Sequence, residues 1–141
     1  MAKFKVAGVS QVFLDNSAGT RLNMTAYVDT VSSLGKEIMP LEVTTFADSA
    51  ERFIAGIEVS QEVTLSGPFD DTAAVGIDFV AGTLVGVIAS VELAPVGTAS
   101  GQRKILGEFL FTSYKVNAAV KERVSYELVA KLDGTLSIGT Y

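Results

Sequence analysis

The sequence predicts a mainly β chain with one short helix. Three observations carry that expectation. Short apolar runs alternate with polar residues, clusters of turn residues separate them, and a single stretch carries helix caps at both ends. At 141 residues the chain has the size of one domain, which buries about two-thirds of the surface its unfolded form exposes. With 48% hydrophobic and 19% charged residues it has material for one core and does not read as a disordered tail. That charged share lies below the roughly 25% usual in soluble domains, so part of the surface is expected to be hidden in partners.

Taken in order, residues 9–14 are the expected first strand. Asp15-Asn16-Ser17-Ala18-Gly19 follows as a turn, because these residues bond their own backbone or tolerate positive φ. Residues 21–28 alternate, with Leu22, Met24, Ala26 and Val28 against Arg21, Asn23, Thr25 and Tyr27, and predict a second strand. Between residues 29 and 57 the pattern loosens around Gly35, Pro40 and Gly56, leaving a short strand expected at 41–45. Thr45-Phe46-Ala47-Asp48 resembles a capping box and predicts one or two helical turns over 49–54. Asp48 and Arg52, four apart, would pair on that turn.

Residues 58–66 place Val59, Val63 and Leu65 on one side and Glu58, Ser60, Glu62, Thr64 and Ser66 on the other, with Gln61 breaking the row. A strand with a core face and an acidic, hydroxyl-rich face is expected there, ended by Gly67-Pro68. Asp70-Asp71-Thr72 caps a helix predicted over 72–81. Its apolar stripe takes in Ala73, Ala74, Val75, Ile77, Phe79 and Ala81, with Gly76 inside and Gly82 as the stop. An apolar strand is expected at 84–93, a loop at 95–101, and a strand at 105–114 with Phe109 and Phe111 on one face. Residues 124–132 alternate again, and Asp133-Gly134 predicts a two-residue hairpin returning the chain through 135–141. Without linker, repeat or low-complexity tract, residues 1–141 read as one domain.

Composition also removes whole chemistries. Without cysteine there is no thiolate nucleophile, disulfide or cysteine metal site. Without histidine the commonest general base and metal ligand are gone, so catalysis is not expected. A net charge of -5 and a pI near 4.6 disfavour binding nucleic acid through phosphates or an anionic membrane surface. Met1-Ala2-Lys3-Phe4-Lys5 has no signal-length apolar stretch behind it. The most apolar run, residues 79–91, is too short to span a bilayer. The expectation is a protein made in the cytoplasm and soluble until it assembles.

Four pieces, in this order, resemble the small tail tube proteins of long-tailed bacteriophages (siphophages). The first is Leu14-Asp15-Asn16-Ser17-Ala18-Gly19 leading into residues 22–28. The second is Val43-Thr44-Thr45-Phe46-Ala47-Asp48-Ser49-Ala50-Glu51-Arg52, running to Gly56-Ile57. The third is Val63-Thr64-Leu65-Ser66-Gly67-Pro68-Phe69-Asp70-Asp71, and the close is Phe111-Thr112-Ser113-Tyr114 with the strand-turn-strand ending at 134–139. Phe46-Ala47-Asp48 stands where the family often has Phe-Gly-Asp, and Glu58 where an Asp often stands. The resemblance implies the tail-tube fold, a β-sandwich or half-barrel of antiparallel sheets with a flanking helix. It implies hexameric rings stacked into a tube that conducts DNA, with one sheet lining the lumen and a long early loop reaching the adjacent ring. Implied partners are copies of the chain itself, a tape-measure protein and tail chaperone within the lumen during assembly, and DNA in transit without specific binding. The implied location is the virion tail, with no membrane, metal or cofactor.

On that reading an acidic wall keeps the duplex centred, and Glu58 and Glu62 are the first lining candidates, with Glu127 a weaker one. The same pattern also describes an ordinary solvent-exposed strand face. The ring-to-ring contact is placed in residues 41–56, on Thr44, Thr45, Phe46, Asp48, Arg52, Phe53 and Gly56. The alternative is a packed Ω-loop whose aromatics fill the subunit's own core. Arg103, Lys104, Lys115, Lys121 and Arg123 read as solvated surface, because Lys121-Glu122-Arg123 mixes signs. Asp70-Asp71 lacks the spacing of a calcium loop and reads as a helix cap. Rival functions are a capsid decoration or tail completion protein, then a carbohydrate-binding or adhesion sandwich, which usually stacks sugars on aromatics while this chain has no Trp. A carboxylate-pair enzyme comes last.

Overall fold

The computed structural model of the chain describes residues 10–32 and 34–141, so Val9 of the expected first strand lies outside the described residues. The strands are β1 (Gln11–Asp15), β2 (Arg21–Asn23), β3 (Thr30–Ser32), β4 (Ile38–Glu42), β5 (Phe53–Glu58), β6 (Glu62–Pro68), β7 (Ile88–Ala94), β8 (Arg103–Asn117), β9 (Ser125–Leu132) and β10 (Ser137–Thr140). One helix, α1 (Ile77–Gly82), lies between β6 and β7. The antiparallel main sheet has the order β2-β1-β7-β8-β9-β6-β3, with β10 also on β8, and β4 and β5 form a separate two-stranded sheet.

The main sheet curls round its core because its two edge strands are tied together. Residues 24–29 alone connect β2 at one edge to β3 at the other, a link of about 24 Å at most. The Met24 amide donates to the Val12 carbonyl at 2.9 Å and the Asp29 amide to the Ser66 carbonyl at 2.9 Å, so the link is bonded to both margins. The result is a half-barrel. Its inner face carries Leu14, Val63, Leu65, Phe109, Phe111, Tyr126 and Leu128, closed over by Ile77 and Val80 of α1 and by Leu136.

Several expected boundaries move, each for a local reason. The strand expected over 21–28 stops at Asn23, whose Oδ1 accepts from the Thr25 amide at 3.0 Å and hydroxyl at 2.5 Å. Those bonds start a 3₁₀ turn at Thr25–Tyr27 in place of the ladder. The strand expected over 58–66 is two strands with a corner between them. At the corner Ser60 Oγ donates to the Leu132 carbonyl at 2.6 Å and the Val59 amide to the Glu37 carbonyl at 2.8 Å.

The helix starts at Ile77 rather than at 72. Asp70 does cap, accepting from the Thr72 amide at 2.8 Å, but Ala74 has φ 67° and cannot continue a right-handed turn. Gly76 is the N-cap, where a Cβ would lie 2.7 Å from Thr72 backbone atoms. The buried stripe is therefore Ile77, Val80 and Ala81, while Val75 and Phe79 remain half-exposed. β7 starts at Ile88, because Gly86 at φ 82° makes 84–87 a turn.

The expected terminal hairpin does not form. Gly134 takes φ 85°, yet β10 pairs with β8 and not with β9. β9 ends where Leu132 opposes Phe109, leaving the start of β8 open on that side. β10 fills the vacancy, with Ser137 opposite Leu106, after Leu136 has dropped into the core.

Candidate assembly surfaces

The β4–β5 hairpin is an arm standing off the main sheet, and β4 is exposed along its whole length. Its order is local. The Thr45 amide donates to Asp48 Oδ2 at 2.8 Å, the Asp48 amide to the Thr45 carbonyl at 3.0 Å, and the Arg52 amide to Thr44 Oγ1 at 2.9 Å. The Thr45 amide, assisted by Arg52, holds the Asp48 carboxyl below its ordinary range. Only the bond from the Thr45 amide to the Asp48 carboxylate is that of a capping box; the Asp48 amide returns to the Thr45 carbonyl and not to its hydroxyl, so the bonds close a turn and no helix follows over 49–54. Arg52 still reaches Asp48 at 3.3 Å. At Gly56 a Cβ would stand 2.5 Å from the Met39 carbonyl oxygen, so glycine permits the irregular register between Ile38 and Pro40.

The arm's aromatics do not fill the core. Phe46 is fully exposed at the tip, Phe53 is 54% exposed, and Ile54 and Ile57 are exposed beside it. All seven predicted arm residues, Thr44, Thr45, Phe46, Asp48, Arg52, Phe53 and Gly56, lie on this one hairpin or its turn.

The three lining candidates are not brought together. Glu58 belongs to the arm's base, where its carboxylate accepts from the Leu136 amide at 3.2 Å and sits 3.1 Å from Lys36 Nζ. Glu62 starts β6, a different strand in a different sheet, so the expected shared face of Glu58 and Glu62 is absent. Glu62 and Glu127 do share the sheet's outer face. Directly opposed residues share a face, and the registers Glu62–Lys131, Thr64–Val129 and Ser66–Glu127 join β6 to β9. Ser113 and Lys115 of β8 oppose Val129 and Glu127 on the same side. That face is hydroxyl-rich and mixed in sign, each candidate carboxylate facing a lysine, and not the acidic wall expected.

A buried carboxylate on this face was not legible in the sequence. Glu92 sits in an apolar run yet is 5% exposed, paired with Arg21, 4.0 Å from Lys104 Nζ, and accepting from Tyr141 Oη at 2.6 Å. Arg21 also lies 3.8 Å over the Phe13 ring. Burial, then the bond to Glu92, pushes the Tyr141 hydroxyl up to about 12. The network fastens the end of the chain across β7, β8 and β2.

The ends of the β6–β9 ladder differ. At one end, where Glu62 meets Lys131, the arm's base is attached. At the other, where Pro68 meets Ser125, lies the β8–β9 turn with Val116, Val120 and Val124 exposed. Arg123 there pairs with Asp29 and holds its carboxyl below the ordinary range. Between the curled margins, Ser10, Val12, Thr25, Val28, Val31 and Leu93 line a mainly apolar cleft of about 460 Å³. Among the described residues no three acidic side chains gather to hold a metal ion.

No protein-family model and no curated protein matches the chain in sequence. Solved structures do match in fold. The tail of an empty gene transfer agent particle, of C6 symmetry, superposes with a TM-score of 0.69 at 16% identity, over 99% of this chain and 100% of that one. The SPP1 tail tube superposes with a TM-score of 0.69 at 9% identity, over 97% of this chain and 80% of that one. The sheath-tube complex of an extracellular contractile injection system gives 0.67 at 11% identity, over 99% and 95%. A half-barrel matched end to end against tubes of three kinds, at identities this low, is a shared architecture: the chain has the tail-tube fold.

Proposed function

We propose that the chain is the structural subunit of a phage-type tail tube. It forms hexameric rings that stack into a hollow tube conducting DNA, with residues 1–141 acting as one tail-tube domain. The observation that carries this reading is the ordered arm, whose exposed Phe46, Phe53, Ile54 and Ile57 contribute nothing to the core of their own subunit. An isolated soluble domain rarely presents such a continuous apolar element without a partner for it. The six-fold tail of similar fold supports the ring number.

The outer face of the sheet is the proposed lumen wall, with Glu62 and Glu127 on it. On it Lys131 faces Glu62, Lys115 faces Glu127 and Lys104 stands 4.0 Å from Glu92, so it offers passing DNA no continuous cationic track and little counterion release to hold it. Glu58 serves the arm's base instead. During assembly the lumen would hold a tape-measure protein and its chaperone. The working location is the virion tail, after synthesis in the host cytoplasm, and the role needs no catalysis.

Negative-stain electron microscopy of the purified protein at rising concentration tests the reading, with uniform hollow tubes expected. Discrete small oligomers would favour a decoration or completion protein, and monomers at every concentration would refute the proposal. Replacing Glu62→Lys together with Glu127→Lys should leave tails assembled but impair genome delivery. Normal infectivity of that double variant would remove both residues from the wall.

A further inference from the structure

The arm and the half-barrel are separate sheets, so strand pairing does not fix the angle between them. Two tethers enter the arm, residues 34–37 before β4 and residues 59–61 after β5. Each tether is anchored once. On the entry side Leu34 packs against the core, with Gly35 between it and Lys36. On the exit side Ser60 Oγ donates to the Leu132 carbonyl at 2.6 Å, and the Leu132 amide donates to the Gln61 carbonyl at 2.7 Å. The tethers are also joined to each other, since the Val59 amide donates to the Glu37 carbonyl and Gln61 Nε2 to the Glu37 carboxylate at 2.9 Å. A body held at two points still turns about the line through them. Such element-ending residues are where hinges form.

Glu58 supplies a third point. It is the last residue of β5, opposite Ile38 in the arm's own ladder. Its Oε2 accepts from the Leu136 amide at 3.2 Å, and its Oε1 lies 3.1 Å from Lys36 Nζ. Leu136 is 0% exposed, with β10 beginning at the next residue. No solvent stands ready to replace the carboxylate at that amide. One side chain thus ties the arm's exit to its entry and to the root of the last strand. Both links are charge-assisted, which suits them to hold a geometry.

We propose that Glu58 is a positioning residue. Its carboxylate, clamped between Lys36 and the Leu136 amide, sets the angle of the arm and with it the rotation from one ring to the next. An open-ended assembly repeats one heterologous contact at every step, so an error in the arm's angle is repeated along the column. The clamp stands on the subunit alone, whereas its effect on rotation rests on the tube reading.

The chain has no cysteine, so two introduced spin labels report a single distance. Labels at Phe46→Cys on the arm tip and Glu127→Cys on β9 should give one narrow distance distribution in the dilute monomer. Glu58→Ala should broaden it by about twofold or more. Glu58→Gln, which keeps an acceptor for the Leu136 amide, should stay near the wild-type mean. That amide should exchange about tenfold faster in Glu58→Ala than in Glu58→Gln. Lost stability in Glu58→Ala with an unchanged distribution would make the residue an ordinary structural contact and overturn the assignment. Lys36→Met leaves the core untouched and should also broaden the distribution. If Glu58→Ala fails to fold, no change in Lys36→Met would refute the clamp. Where the protein polymerises, tubes of Glu58→Ala should lose the uniform helical rotation of wild-type tubes. Unchanged rotation would overturn the link to ring geometry. A wild type that forms no tubes would overturn the tube reading, and the distance measurement would still decide the clamp.

Discussion

The arm and the β6–β9 ladder are made of the same kinds of residue and end in opposite conditions. In β9 the side chains of Tyr126, Leu128, Ala130 and Leu132 alternate into the core, and in β6 Val63 and Leu65 do the same. In β4 and β5 Ile38, Leu41, Phe53 and Ile54 are no less apolar, yet all are exposed, because the chain turns the corner at Val59–Gln61 and carries that hairpin off the half-barrel. The ladder is complete within one subunit. The arm's two strands are paired with each other, and its burial is unfinished. Apolar content by itself therefore says how much surface must be covered, not whether the same chain covers it.

The contrast breaks first where the body is damaged. Phe109→Ala removes a ring 1% exposed in the core and should lower unfolding stability by about 3–5 kcal/mol in chemical denaturation. A loss under 1 kcal/mol would mean the core is not as tight as the ladder implies. Gly67→Ala should cost about 2–3 kcal/mol, because the new Cβ would stand 2.1 Å from the Tyr27 carbonyl oxygen, and backbone must shift to admit it.

Tyr141→Phe should cost about 1 kcal/mol, since its partly exposed hydroxyl has water as a substitute for Glu92. The sign of its pH dependence follows from an upward shift. The fold holds the neutral phenol, so its contribution is complete below its ordinary 10.0 and lost as pH rises through about 12. Alkaline unfolding of wild type and Tyr141→Phe should converge there. The smallest effect on the monomer belongs to the arm. Phe46→Ser should change its stability by no more than about 0.5 kcal/mol, while the concentration needed for tubes rises at least tenfold. A comparable loss in the monomer would make the arm part of the body.

Much of the body was legible because alternation survives wherever one face is buried, as in residues 124–132 and at Val63 and Leu65. What misled were local signals resolved by distant contacts. Thr45-Phe46-Ala47-Asp48 makes one of the two bonds of a capping box, but Phe53 and Ile54 of the expected helix are drawn into β5. Gly134 bends the chain at φ 85°, but the open half of β8 takes the strand that follows. Of the proposed assembly surface, the exposure of the arm residues was readable from a break in pattern with exposed-looking aromatics. Glu58 was misplaced because the corner at 59–61 is set by bonds to Glu37 and Leu132, which sequence spacing does not report. Glu92 gave no signal, because its partners Arg21, Lys104 and Tyr141 arrive from three other parts of the chain.

Amide hydrogen exchange, compared between dilute monomer and assembled protein, reaches the central claim most directly. β6 and β9 should be protected in both states, whereas residues 38–57 should exchange readily in the monomer and slow by at least tenfold on assembly. Equal protection of the arm in both states would show that its apolar surface was never waiting for a second subunit.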